Sequence, residues 1–191
     1  MNEHVRANHP QLFPVYEAFP KNVMRADVFR YVVMHDLGGL YCDLDYEFLR
    51  PYPYGDAQLV LSEEVSFGRT DSADGQIANY VFASAPGHLL WKDMLDDLIR
   101  NPPGISTIDD IVPATGPGFL TRIFLANRQK YEGVVVHEKP AFSPFRIRGR
   151  NERQILLDSG QTFGIHHAWG SWKERWSGHY LRKKATGLLR R

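Results

Sequence analysis

Gly38-Gly39-Leu40-Tyr41-Cys42-Asp43-Leu44-Asp45 is the stretch on which the reading of this chain turns. Two glycines stop whatever helix precedes them, because only glycine enters the left-handed region freely. Leu40 to Asp43 then reads as a short buried strand, and Asp45 falls where that strand opens into a loop. Side-chain direction repeats every two residues on an extended chain, so Asp43 and Asp45 point the same way. Two carboxylates this close raise each other's pKa unless a cation lies between them. Hard oxygen ligands suit Mg²⁺ or Mn²⁺, which bind through one or two carboxylates together with substrate phosphates. An isolated Asp-x-Asp is a weak signal, since an acidic turn at a strand end has the same spelling.

Upstream, Arg25 to Leu37 predicts a helix with Asn22 as N-cap and Gly38-Gly39 as stop, with Val28, Tyr31, Val32 and His35 sharing one face. Asp27 and Arg30 lie three apart on it and share a face. Met1 to Asn22, broken by Pro10, Pro14 and Pro20, predicts irregular or short helical structure. Downstream, Leu59 to Leu61 and Ile77 to Ala83 read as strands, and Ser84 is expected to cap a helix reaching Arg100. Pro117 to Arg128 reads as a further helix carrying Leu120, Ile123 and Phe124 inward. Val134 to Val136 and Thr162 to His166 read as strands, and the chain from Ser171 as helical. Strands alternating with helices indicate an α/β domain.

The 191 residues, 43% hydrophobic and 13% aromatic, suit one packed domain. We expect it to span 1–191, with a core over 22–172 and a basic tail over 173–191. A net charge of +1 supplies no global field for nucleic acid. Cys42 is the only cysteine, which excludes an intrachain disulfide, and it reads as a small buried residue. No apolar run approaches the roughly eighteen residues of a membrane span. Arg146, Arg148, Arg150 and Arg153 cluster in an expected loop. Residues 173–191 carry seven Lys or Arg against Glu174 alone. Such a tail is ordinarily solvated, with peripheral attraction to an anionic membrane or a phosphate-bearing acceptor as the sharper alternative.

The run Arg25-Ala26-Asp27-Val28-Phe29-Arg30-Tyr31, then Gly38-Gly39-Leu40-Tyr41, then Asp43-Leu44-Asp45, resembles the signature of glycosyltransferase family 32. Asn79 with Ser84-Ala85-Pro86-Gly87-His88, Thr115-Gly116-Pro117, and His166-His167-Ala168-Trp169-Gly170-Ser171-Trp172 also look like landmarks of that family, so the resemblance runs from Val23 to Trp172. It implies a GT-A-like α/β fold, Mn²⁺ or Mg²⁺, a GDP- or UDP-hexose donor, a glycan, lipid or protein acceptor, and transfer with retention. It also implies that Asp43 and Asp45 hold the metal and serve catalysis, that Asp27 and Arg30 grip the donor sugar, and that His166, with His167 as the alternative, completes the metal site. Asn79, Ser171 and Trp172 are candidate donor contacts, and Trp169 a stacking surface. Glu63 and Glu64 could face the acceptor, and the amides of Gly116-Pro117-Gly118 an anion.

Enzymes similar in this way begin with a strand and helix ahead of the Asp27 region, which help bind the base. This chain is therefore expected to be shortened at its N-terminus. The implied location is the cytoplasm or its membrane face in a bacterium, or the Golgi and endomembranes for a piece of a eukaryotic enzyme. Two other readings compete. One is a different metal-dependent nucleotide or phosphate enzyme. The other is a catalytically impaired carbohydrate-binding relative.

Overall fold

The computed structural model describes residues 1–67, 75–144 and 150–168. Two short helices, α1 (Asn2–Asn8) and α2 (Phe13–Ala18), open the chain and lead into α3 (Asn22–Asp36). The cap of α3 differs from the expectation. Lys21 occupies the cap position and makes no side-chain capping bond to the helix, and the Asn22 side chain accepts a hydrogen bond from Arg25. Val28, Tyr31 and Val32 are fully buried, and His35, the penultimate residue of the helix, is partly exposed. Val5, Leu12, Tyr16 and Phe19 join the same core, so packing extends upstream of residue 22.

Strands β1 (Gly39–Cys42), β2 (Tyr46–Phe48), β3 (Leu59–Val65), β4 (Gln76–Ile77) and β5 (Val81–Ser84) follow. The expected single strand from Ile77 to Ala83 is two strands, both antiparallel to β3, separated by Ala78, Asn79 and Tyr80. Helix α4 (Leu89–Arg100) is capped by His88, whose Nδ1 accepts from the Leu90 amide at 3.2 Å. Ser84, the expected cap, ends β5 instead and accepts from Trp91 Nε1 at 2.7 Å. Helices α5 (Ile111–Ala114) and α6 (Pro117–Asn127) precede β6 (Val134–His137), then α7 (Lys139–Phe142), α8 (Arg150–Asp158) and β7 (Gly164–His166) complete the described fold.

The main sheet runs β1-β5-β3-β4, with β6 parallel to β3 on its other edge and every other pairing antiparallel. It is a mixed α/β architecture. Both faces are covered, and the period-2 alternation of β3 and β5 serves both. Leu59, Leu61 and Phe82 enter the larger cluster with α3, α4 and α6. Val60, Val81 and Ala83 face a second cluster with Tyr80 and Phe142. A separate two-stranded sheet pairs β2 with β7 in antiparallel register, Tyr46 opposite His166. This short sheet brings the far end of the described chain back to the acidic loop.

The α3–β1 junction is held by a close approach. Gly38 has φ +61°, and an added Cβ would lie 2.4 Å from Pro86 N and 2.7 Å from Ser84 O. Gly39 has φ +90° but open space around it. Gly39→Ala is therefore expected to cost about 1–3 kcal/mol, the strain of a left-handed non-glycine residue. Gly38→Ala should cost clearly more, because the backbone clash adds about 1–3 kcal/mol. Denaturant melts of the two variants check that order.

Candidate active site

Helix α3, the end of β1 and the break between β4 and β5 converge on one guanidinium. Arg30 Nη2 lies 2.9 Å from Asp27 Oδ1, and Nη1 lies 2.9 Å from Asp43 Oδ1. Nη1 also donates to the Asn79 carbonyl, and the group sits 4.9 Å over the Tyr41 ring. Asp27 and Arg30 are only 3% and 7% exposed, so the pair is a buried network and not a surface ion pair. The Asp27 carboxylate accepts further bonds from Asn79 Nδ2 at 3.2 Å and Thr115 Oγ1 at 3.1 Å. Burial pushes the Asp27 carboxyl above the ordinary carboxylate value, and Arg30 and Thr115 pull it back. Burial also opposes the charge on Arg30, but Asp27, Tyr41 and Asp43 more than offset it. Arg30 Nε is buried with no hydrogen-bond partner among the described residues.

Asp43 is oriented by two donors on one oxygen, Arg30 and the Tyr41 hydroxyl at 2.6 Å. Its backbone is anchored as well, the amide donating to Tyr80 O at 2.9 Å. Asp45 follows in the turn between β1 and β2. Strand β7 carries His166 to it, Nε2 standing 3.3 Å from Asp45 Oδ1. The imidazole is stacked on the Tyr80 ring, centroids 3.9 Å apart at 21°. Burial lowers the His166 pKa despite the opposing charges of Asp45 and Asp43, which keeps a lone pair available at neutral pH. One ligand atom each from Asp43, Asp45 and His166 all lie within 4.8 Å of one another. Two carboxylates and one neutral imidazole make a donor set that fits a divalent cation, and Mn²⁺ better than Mg²⁺ because of the nitrogen.

The two adjacent histidines part company. The His167 amide donates to Asp45 O at 2.9 Å, but its Nε2 lies 3.0 Å from Glu47 Oε2. His167 is thus outside the three-residue group. Glu64 is engaged by Gln76 Nε2 at 2.9 Å, and its charge reaches His166 and Tyr80. Glu63 pairs with Ile77 across β3 and β4. Gly116 and Gly118 are accounted for by packing, since a Cβ on either would crowd Val112. Cys42 is half-buried, and burial and Asp43 push its thiol pKa up, which leaves it unactivated. Trp169, Ser171, Trp172, Arg146, Arg148 and the 173–191 tail lie outside the described residues.

Sequence reasoning missed Tyr80, the platform for His166, and gave no role to Tyr41 or Thr115. Tyr80 is hidden in the sequence because Ile77 to Ala83 reads as one continuous strand. The break places Asn79 and Tyr80 at the site together.

Residues 1–66 match the model of a family described as a glycosyltransferase sugar-binding region containing a DXD motif. The chain is 27% identical over 169 residues to inositol phosphoceramide mannosyltransferase 2 of Schizosaccharomyces pombe, covering 85% of this chain and 44% of that protein. It is 31% identical over 134 residues to inositol phosphoceramide mannosyltransferase 3 of the same yeast, covering 68% and 35%. With the initiation-specific alpha-1,6-mannosyltransferase of Candida albicans the identity is 24% over 148 residues, covering 62% and 38%. These matches support placing the chain with the DXD-motif glycosyltransferases of the family 32 type, a group that generally uses a divalent metal. It spans less than half the length of these relatives. Among the described residues no helix is long and apolar enough to cross a membrane.

Removing Arg30 leaves the buried Asp27 carboxylate without its counter-charge and takes one of two donors from the partly exposed Asp43. Arg30→Met is expected to lower stability by about 3–5 kcal/mol, the cost of breaking a buried pair by deleting one partner. Equilibrium unfolding in urea measures it, and a loss under about 1 kcal/mol would mean the network is screened like a surface pair.

Proposed function

We propose that this chain is a metal-dependent, retaining glycosyltransferase with a GT-A-like fold. It moves a hexosyl group from a GDP- or UDP-sugar to a glycan or lipid acceptor. One observation carries the reading: Asp43, Asp45 and His166, from two separate sheets, converge within one cation's reach beside the buried Asp27–Arg30–Asn79 network. The mannosyltransferase names of the relatives make mannose the first donor sugar to test.

In this reading Asp43, Asp45 and His166 hold Mn²⁺ or Mg²⁺. When bound, the ion supplies Lewis-acid neutralisation of the departing diphosphate. Arg30 aligns Asp43 and keeps Nε for an oxygen of the donor. Asp27 holds Arg30, and its contact with the donor sugar requires Asn79 or Thr115 to give way, since its oxygens are engaged. The acceptor hydroxyl attacks from the face that the leaving group vacates, and no protein nucleophile is assigned.

Asp45→Ala tests this. Mn²⁺-dependent donor binding should disappear and transfer should fall at least about a hundredfold. Stability should change by less than about 1 kcal/mol, because the carboxylate belongs to a loop. Unchanged transfer would overturn the mechanism. With wild type, donor binding without turnover would favour the carbohydrate-binding reading, and release of phosphate without sugar transfer the phosphate-enzyme reading.

Asp27→Asn separates donor positioning from folding. Melting temperature should hold within a few degrees, as the amide keeps most of the hydrogen bonds. Transfer should drop by about two orders of magnitude, because the reacting carbon loses its alignment. Normal transfer in this variant would remove Asp27 from the donor site.

A further inference from the structure

A second group of ligating side chains stands at the C-terminal end of α3. Asp36 lies nine residues beyond Asp27, about 13 Å along the helix at ~1.5 Å per residue. His4 Nε2 of α1 is 2.7 Å from Asp36 Oδ2, and His9 Nε2 is 2.9 Å from Oδ1 and 3.0 Å from Oδ2. Ligand atoms of these three residues lie within 4.8 Å of one another, one of two such groups among the described residues. His35 Nδ1 stands 3.0 Å from Asp36 Oδ1. Three imidazoles thus crowd one carboxylate, and the sequence reading assigned a role to none of them.

We propose that His4, His9 and Asp36 form a transition-metal site of the Zn²⁺ class that clips α1 to the C-terminal end of α3. The donor set is the reason for the class. Two imidazoles of intermediate softness and one hard carboxylate form a set that the borderline ion Zn²⁺ takes at about 2.0–2.2 Å. The donor atoms now share hydrogen bonds of 2.7–3.0 Å, so to hold an ion they spread to about 3.3–3.6 Å and give up the shared protons, a small displacement. The surroundings resemble an outer shell. His35 steadies the carboxylate, Asn8 Nδ2 lies 3.3 Å from the other nitrogen of His4, and Phe29 packs edge-on to the His4 ring at 6.0 Å. Burial alone would raise the Asp36 carboxyl, but hydrogen bonds from His35, His9 and His4 hold it at about 2, ionised and ready to ligate. The mechanical role follows from where α1 is tied: Val5 is its one buried residue, and the contacts of Asn2 and Arg6 run to α2, which among the described residues leaves His4 as the polar tie from α1 to Asp36 of α3. Free energy of metal binding there becomes stability of the α1–α3 junction.

The test uses the full chain, stripped with a chelator and titrated with Zn²⁺, in an Asp45→Asn background that disables the other cation group. That protein should take up about one equivalent of Zn²⁺, and its melting temperature should rise with Zn²⁺. Adding His9→Gln or His4→Gln should weaken uptake roughly tenfold or more and remove the thermal shift. His4, at 37% side-chain exposure, is a substitution that the fold tolerates should His9→Gln fail to fold. No uptake by the Asp45→Asn protein, or uptake unchanged by His4→Gln and His9→Gln, would overturn the proposal. Neither readout depends on transferase activity, so the two readings fail separately.

Discussion

A guanidinium only 7% exposed must have its charge compensated, and the way Arg30 achieves this through its two terminal nitrogens organises the rest of the molecule. Removing such a charge from water costs several kcal/mol, which one carboxylate seldom returns. Here two carboxylates, a backbone carbonyl and an aromatic face share the task. The partners come from α3, β1 and the β4–β5 break, so satisfying one charge fixes three elements relative to one another. Asp43 is then aimed before any ligand arrives. The preference for a prearranged carboxylate at this point is an electrostatic consequence of burying Arg30.

The sheet gives this network its rigidity and its opening. Both faces of β3 and β5 are covered, one by the helices and one by the Tyr80–Phe142 cluster. A continuous strand from Ile77 to Ala83 would have spent Asn79 and Tyr80 on ladder bonds. The interruption frees them: Asn79 turns to Asp27 and Arg30, while Tyr80 stacks on His166 and accepts the Asp43 amide. The small β2–β7 sheet completes the arrangement by carrying His166 back across more than a hundred residues of chain to Asp45.

Helix α3 links two chemistries along one axis. Its middle carries Asp27 and Arg30, and its last residue, Asp36, gathers His4, His9 and His35. The first depends on burial and the second on a half-exposed surface, which suits a group that must exchange an ion with solvent.

By itself the sequence determined the local physics. The one-residue spacing of Asp43 and Asp45 makes them neighbours on any extended chain, the glycine pair ends α3, and the three-residue spacing of Asp27 and Arg30 puts them on one helix face. The mixed α/β pattern and the family resemblance rest on such short-range regularities. Tertiary structure decided what depends on partners distant in the chain. Burial of Asp27 and Arg30 extended a pair on one helix face into a network, because Thr115 and Asn79 arrive from elsewhere. The choice of His166 over His167 at Asp45 came from the register of β7 against β2, which adjacent histidines alone leave open. The cap shift from Ser84 to His88 and the break before Val81 have the same origin. A buried tryptophan and a buried guanidinium take the polar groups that local rules had assigned to helix and strand.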